Sequence, residues 1–102
     1  EKSNVNTAWL AFPILIKGDA PFTRKEFQIY LEQRNIQTRV VFTGNVLRQP
    51  MTKNIEKRIT SERLLNADAI MERGVLLPLH HGMTNEMFDR LHSVINEFLK
   101  NY

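Results

Sequence analysis

The sequence predicts a small α/β (α+β) two-layer sandwich, in which about three short strands carry three helices on one face. Two observations support this prediction: apolar segments of strand length alternate with segments of helical period, and turn residues separate them. A length of 102 residues allows one domain with its own core. We expect residues 1–7 to be a polar lead-in from whatever precedes them, and residues 8–102 to form the domain.

The composition excludes several classes of function. The chain has no cysteine, which excludes disulfides, thiolate metal sites and cysteine nucleophiles within this segment. Its longest uncharged apolar run, residues 8–16, is far shorter than the ~20 residues that span a bilayer. A net charge of +3, with acids interspersed among the bases, permits nucleic-acid binding without indicating it. The expectation is a soluble, cytoplasmic segment of a longer chain.

The first part of the chain predicts a strand followed by a capped helix. Residues 8–16 are apolar at both odd and even positions, which is typical of a strand covered on both faces. Pro13 leaves one edge of this strand without a backbone donor. Thr23 and Glu26 have the spacing of a capping box, so a helix is expected from there to about residue 35. Its buried face is expected to comprise Phe27, Tyr30 and Leu31.

Two cations stand at the start of this helix. Arg24 and Lys25 occupy its first turn, where the helix dipole disfavours positive charge. This placement hints at an anionic neighbour, although solvated side chains are the commoner explanation.

The middle of the chain predicts a second strand and then a long aperiodic segment. Residues 37–42 form the strand, one face of which carries Arg39. Residues 43–59 show no clear period, with a short helical turn possible near residues 52–57. Loops of this length are usually functional or mobile.

The last part predicts a helix, a strand and a final helix. Thr60 or Ser61 is expected to cap the second helix, and Gly74 to end it as a C′ residue. Residues 75–77 predict a third strand whose end Pro78 places at an edge. The apolar side chains expected to be buried on the second helix are Leu64, Leu65, Ala67, Ile70 and Met71. The final helix, capped by Thr84, repeats large apolar residues at helical spacing: Met87, Leu91, Val94 and Phe98.

The segment from Arg39 to Pro50 is the strongest candidate for a binding site. Its two arginines have guanidinium forks that suit phosphate or carboxylate, and Gly44 lets the backbone approach a ligand. Arg39 and Arg48 flank the hydroxyl and amide donors of Thr43 and Asn45. An ordinary surface loop with solvated arginines is the commoner explanation on composition alone.

Two further features are weaker candidates. His80 and His81 are adjacent, so they point in different directions and no metal site is expected. His81 remains a weak binding candidate, and an acid–base role stays open. The basic stretch of residues 53–58 lacks interleaved aromatic residues, which favours a solvated surface. An independent module that binds nucleic acid or another anion is the alternative from a different class.

Three pieces of the chain resemble one enzyme family. Trp9 and Phe12 are similar to its opening aromatic strand, and the Gly-Val-Leu-Leu-Pro-Leu sequence of residues 74–79 to its leucine–proline strand. Phe-Thr-Gly-Asn at residues 42–45 followed by Arg-Gln-Pro at residues 48–50 is similar to the RfbH-like sugar 3-dehydrases. The chain thus resembles the C-terminal small domain of the DegT/StrS family of pyridoxal-phosphate enzymes. The His80-His81 pair departs from the family's aromatic–proline pair.

The resemblance implies fold type I aminotransferase architecture. A preceding N-terminal domain would hold pyridoxal or pyridoxamine phosphate, and the active site would form at a homodimer interface. The implied substrate is a nucleotide-linked 4-keto-6-deoxy sugar, and the implied reaction is 3-dehydration in lipopolysaccharide deoxysugar biosynthesis. Amino transfer to the sugar is the alternative within the family, because the deciding histidine or lysine lies outside this chain. A [2Fe–2S] cluster bound upstream and a reductase partner are also implied.

The resemblance also implies roles for the candidate residues. Arg39 and Arg48 would face phosphate or sugar oxygens, and Thr43 and Asn45 would position hydroxyl groups. No catalytic residue and no cofactor anchor are expected in this segment, so the isolated chain is expected to be inactive.

Overall fold

The computed structural model describes residue 6, residues 8–60 and residues 64–102. These residues form three strands, β1 (Ala11–Leu15), β2 (Arg39–Val40) and β3 (Gly74–Pro78). Three α-helices lie between and after them: α1 (Arg24–Glu32), α2 (Leu65–Arg73) and α3 (Asn85–Leu99). The predicted α/β fold with three strands and three helices is confirmed. Ser61, one of the two predicted caps of α2, lies outside the described residues.

The sheet has the order β1-β3-β2, and both pairings are antiparallel. Strand β3 is central, but β2 pairs with it only as far as Leu76, and its end at Pro78 pairs with β1. The prediction that Pro78 places the end of this strand at an edge is confirmed. Strand β1 is one of the two edge strands, and its Pro13 lies opposite Leu76, so this position tolerates the missing donor as expected. The prediction that β1 is covered on both faces is also wrong, since Phe12 and Leu15 are about half exposed.

One face of the sheet packs against α1 and α3. Val75 and Leu77 of β3 are buried, and Ile14 lies directly opposite Val75 on the same face. Phe98 of α3 is the centre of an aromatic cluster, with ring centroids 4.8–5.3 Å from those of its four neighbours, Phe22, Phe27, Tyr30 and Tyr102. The buried core consists of Ile16, Phe27, Leu31, Ile36, Val75, Leu77, Val94 and Phe98.

The predicted capping box of α1 is confirmed. The Thr23 hydroxyl accepts a hydrogen bond from the Glu26 amide at 3.2 Å, and the Glu26 carboxylate accepts one from the Thr23 amide at 2.8 Å. Arg24 does not need an anionic ligand, because its guanidinium donates to the main-chain carbonyls of Met71 and Gly74. These carbonyls belong to the end of α2, where the helix dipole favours a cation.

Helix α2 differs most from its prediction. None of its side chains is buried, and Leu65 is 65% exposed. The helix ends at Arg73, before Gly74 as predicted, but Gly74 is its C-cap in an extended conformation with φ −76° and not a C′ residue. Space explains the glycine instead, since a Cβ there would lie 2.5 Å from the Ile70 carbonyl oxygen and 2.9 Å from a methyl group of Val41.

Strand β2 is shorter than the predicted residues 37–42. Only Arg39 and Val40 pair with β3, and the chain then turns at Phe42, which has φ 44°. The helical turns that follow are two 3-10 turns, Val46–Arg48 and Pro50–Thr52, which precede the position expected for a turn.

Candidate functional site

The segment from Thr43 to Thr52 is compact, although its sequence has no period. The Asn45 side-chain oxygen accepts a hydrogen bond from the Leu47 amide at 3.1 Å and so caps the first 3-10 turn. The Thr52 hydroxyl is buried and lies 2.9 Å from the Gln49 carbonyl oxygen and 3.1 Å from that of Val46. Local side-chain bonds of this kind give the backbone an alternative to a helix or a ladder. They hold the candidate residues in fixed positions.

Asn45 and Arg48 meet at an acidic residue of α2 that the sequence analysis did not select. Arg48 donates from Nε and Nη2 to the two carboxylate oxygens of Asp68, at 2.9 and 2.8 Å. Asn45 is only 3% exposed, and its Nδ2 donates to Asp68 Oδ1 at 2.9 Å. We name these three residues the Asp68 cluster. No sequence signal pointed to Asp68, because the helix was expected to begin at Thr60 or Ser61. The observed α2 begins later and so places Asp68 in its first turn, where the dipole favours an acid.

The three donors stabilise the charged form of the carboxylate. Hydrogen bonds from Arg48 and then from Asn45 lower the pKa of Asp68 to about 2. The same contact raises the pKa of Arg48 above its ordinary value. Both groups are therefore charged across the neutral pH range, and the Arg48 side chain is 55% exposed.

Gly44 fixes the same segment at a second point of α2. It has φ 68°, a conformation that L side chains rarely adopt. A Cβ at this position would lie 2.4 Å from Met71 Cα, one turn of helix after Asp68. The glycine is required both by its conformation and by the close approach of the two backbones.

Arg39 and Thr43 remain accessible. Arg39 lies opposite Leu76 on the sheet face that points away from the core. It is exposed, and within residues 8–60 and 64–102 it forms no salt bridge. Thr43 is exposed too, and its carbonyl oxygen accepts a hydrogen bond from the Asn45 amide at 2.8 Å.

Phe42 is an unusual residue beside these two. Its left-handed backbone conformation is costly for a bulky side chain, and the side chain is 88% exposed. Strained positions of this type concentrate at functional sites. Sequence reasoning gave no signal for it, because a positive φ at phenylalanine follows no propensity rule.

The histidines lie in the turn between β3 and α3. His80 Nδ1 accepts a hydrogen bond from the Gly82 amide at 3.1 Å, which shapes the turn. His81 is exposed, and no hydrogen bond joins it to the Asp68 cluster. Within residues 8–60 and 64–102, no three His, Asp or Glu side chains are grouped as metal ligands. No helix of that part is long and apolar enough to cross a membrane.

Comparisons with known proteins place this geometry in a family. Residues 1–96 match the model of the DegT/DnrJ/EryC1/StrS aminotransferase family. The chain is 37% identical over 92 residues to a dTDP-4-dehydro-2,6-dideoxy-D-glucose 3-dehydratase of Saccharopolyspora spinosa, covering 90% of this chain and 20% of that protein. It is 36% identical over 98 residues to the lipopolysaccharide biosynthesis protein RfbH of Salmonella typhimurium, covering 96% of this chain and 22% of that protein.

A solved structure supports the same assignment. A Bacillus cereus protein described as a PLP-dependent aminotransferase superposes with a TM-score of 0.66 at 26% identity, covering 84% of this chain and 22% of that one. The chain thus spans about a fifth of the length of the relatives it matches. With almost its whole length matched by the family model, the chain belongs to the DegT/DnrJ/EryC1/StrS aminotransferase family.

Proposed function

We propose that this chain is the C-terminal small domain of an enzyme that removes the C3 hydroxyl of a nucleotide-linked 4-keto-6-deoxy sugar. Residues 8–102 form that domain, and residues 1–7 lead in from a catalytic domain that precedes it. The observation behind this proposal is the similarity to two proteins named for 3-dehydration and for lipopolysaccharide biosynthesis, over 90% and 96% of the chain. The likeness to a PLP-dependent aminotransferase supports pyridoxal phosphate, or its amine form, as the cofactor.

The groove between β1 and α1 does not fit the cofactor. It contains Lys17 and Phe22, but Phe22 packs in the aromatic cluster. The two arginines of that groove, Arg24 and Arg73, donate to main-chain carbonyls of Met71 and Ile16. The cofactor therefore belongs to the preceding domain in our proposal, and the chemistry of the reaction is supplied there.

This chain would contribute substrate contacts. Arg39 is exposed and suits the diphosphate, and the exposed Thr43 hydroxyl suits a sugar oxygen. Asn45 is buried with both side-chain groups bonded, so we propose that it acts through Asp68, which holds Arg48, and does not touch the substrate. Arg48 keeps donors free for a ligand, and His81 is an exposed secondary candidate.

The test uses the full-length protein that contains this segment. We expect the purified protein to absorb as a pyridoxal-phosphate enzyme. Given a two-electron donor, either a reductase or an amino donor, it should convert a nucleotide-linked 4-keto-6-deoxy sugar into a 3-deoxy product and release the C3 oxygen as water. Mass spectrometry detects loss of the C3 oxygen. A product that gains nitrogen from an amino donor would instead establish the sugar aminotransferase, which the family name and the Bacillus cereus structure favour as the second candidate. If the protein forms neither the 3-deoxy product nor the amino sugar, both candidate functions are contradicted.

Further parts of the proposal are tested on the same sample. A homodimer is expected in gel filtration, and iron analysis together with a reductase assay decides whether a [2Fe–2S] cluster is present upstream. A cytoplasmic location follows from the proposed substrate. The nucleic-acid alternative predicts a steep loss of RNA or DNA binding with added salt. One cation of its basic stretch, Lys57, donates to the Thr52 carbonyl.

A further inference from the structure

We propose that Asp68 is a positioning residue that makes Arg48 a donor to neutral sugar oxygens and leaves recognition of the diphosphate to Arg39. This inference rests on the proposed function, because it assigns parts of the same substrate to different residues. It narrows the role expected for Arg48, since the sequence analysis allowed its guanidinium to face either phosphate or sugar oxygens.

The geometry of the fork fixes the direction of the remaining donors. Arg48 uses Nε and one Nη2 hydrogen on the Asp68 carboxylate. A guanidinium group is planar and has five N–H donors, so three stay free, two on Nη1 and one on Nη2. They lie on the edge of the group opposite Asp68. With the Arg48 side chain 55% exposed, this edge can reach a ligand.

The charges near Arg48 disfavour an anion. The Asp68 carboxylate neutralises the guanidinium, and Glu72, one helical turn further, adds a second negative charge close enough to raise the pKa of Arg48. A diphosphate bound to Arg48 would meet the field of both carboxylates. A hydroxyl or keto oxygen has no net charge and accepts from the free N–H groups without that repulsion.

Arg39 has the opposite surroundings. It is exposed on the open face of the sheet, and none of the residues in the described parts of the chain forms a salt bridge with it. Its full positive charge is therefore available to a diphosphate. Of the two arginines in the candidate segment, Arg39 is the one suited to an anion.

The positions are fixed by buried contacts as well as by the ion pair. Asn45 is 3% exposed and bonded to the Leu47 amide and to Asp68. Gly44 lies against Met71 one turn further along α2. The position of Asp68 therefore does not change when Arg48 binds a ligand. The ligand instead meets an arginine whose direction α2 has already set.

The experiment compares a nucleoside diphosphate with its sugar derivative on the full-length protein. Dissociation constants for dTDP and dTDP-glucose, or for CDP and CDP-glucose if that pair binds, are measured by calorimetry. Asp68→Asn keeps the shape of the side chain but removes its charge. We expect it to leave nucleoside diphosphate affinity unchanged or tighter, and to reduce the extra affinity that the sugar provides by about fivefold.

Three other variants complete the comparison. Arg48→Gln should reproduce the loss of the sugar contribution, and the double variant with Asp68→Asn should lose no more than either single one. Arg39→Gln should weaken both ligands by about tenfold with their ratio unchanged. Asp89→Asn, an exposed aspartate of α3 outside the site, is the matched control and should change neither.

The outcomes separate the inference from the function beneath it. If Asp68→Asn weakens both ligands by the same factor, Asp68 has only a structural role and the inference is overturned. If Asp68→Asn changes neither dissociation constant, the inference is overturned as well. In both cases the wild-type protein still binds the sugar nucleotide, so the proposed function stands. If the wild-type protein binds neither ligand, both the proposed function and the inference are contradicted.

Discussion

Two regions of this small domain are held together in different ways. The helical face, formed by α1, α3 and the central strand β3, is a continuous core of buried apolar and aromatic side chains. The α2 region, formed by α2 and residues 43–52, contains no buried side chain of α2 at all. Directional contacts hold it instead, among them the fork between Arg48 and Asp68 and the bonds of Arg24 to the end of the helix. The comparison teaches that hydrophobic area fixes the first region and individual donors fix the second.

The largest effect is expected in the helical face. Phe98→Ala removes a 2%-exposed ring at the centre of the aromatic cluster and should lower the free energy of unfolding by about 3–5 kcal/mol. Leu99→Ala, at the neighbouring and 46%-exposed position, is the control and should cost less than about 1 kcal/mol. Urea unfolding followed by circular dichroism measures both. Equal costs would contradict the assignment of the core.

A smaller loss is expected where the segment approaches α2. Gly44→Ala forces a left-handed conformation on alanine and a Cβ into the Met71 backbone, so we expect a loss of about 2 kcal/mol. It should also separate Arg48 from Asp68. Gly18→Ala is the control, because a Cβ there would meet nothing nearer than 3.7 Å. A Gly44→Ala variant as stable as the control would show that the two backbones do not touch.

The acid dependence of stability tests the Asp68 cluster. The pKa of Asp68 is lowered from 3.8 to about 2 in the folded state, so its ion pair stabilises the fold above the unfolded value. That contribution is lost as the pH falls from about 5 towards 2. Urea midpoints measured across this range should fall less steeply for Asp68→Asn than for the wild type. Parallel curves would mean that the fork does not stabilise the domain in solution.

The smallest effect is a gain. Phe42→Asn replaces a bulky residue at φ 44° with one that tolerates this conformation, and Phe42 buries almost nothing. We expect the free energy of unfolding to rise by up to about 1 kcal/mol. Phe12→Asn, at an exposed position in β1, should give no such gain. If the Phe42 variant is less stable than the wild type, the ring has packing partners in the longer protein.

The same contrast explains how much could be predicted from the sequence. The helical face follows rules of local spacing: the capping box of Thr23 and Glu26 and the Thr84 cap all form as expected. In the α2 region, the apolar side chains of α2 follow the same spacing, but the described residues leave all of them at least partly exposed. Spacing shows that a helix has an apolar face and does not show what packs against it.

The candidate site was predicted in part for a related reason. Asn45 and Arg48 were selected because their donors suit oxygen ligands, and the structure brings them together. Asp68 was not selected, because it pairs with Arg48 across 20 positions of the chain, a contact that local patterns do not contain. The strain at Phe42 likewise depends on where β2 ends, which is a property of the folded sheet.

The bond from Arg24 to α2 has a consequence for how this domain can vary. Its acceptors are the carbonyl oxygens of Met71 and Gly74, which every residue type provides. Arg73 likewise donates to the carbonyl of Ile16. The attachment of α2 to the rest of the domain therefore places few demands on the side chains of the helix. The exposed side chains of α2 can thus be substituted to match a neighbouring surface, and Asp68 keeps its position relative to the sheet.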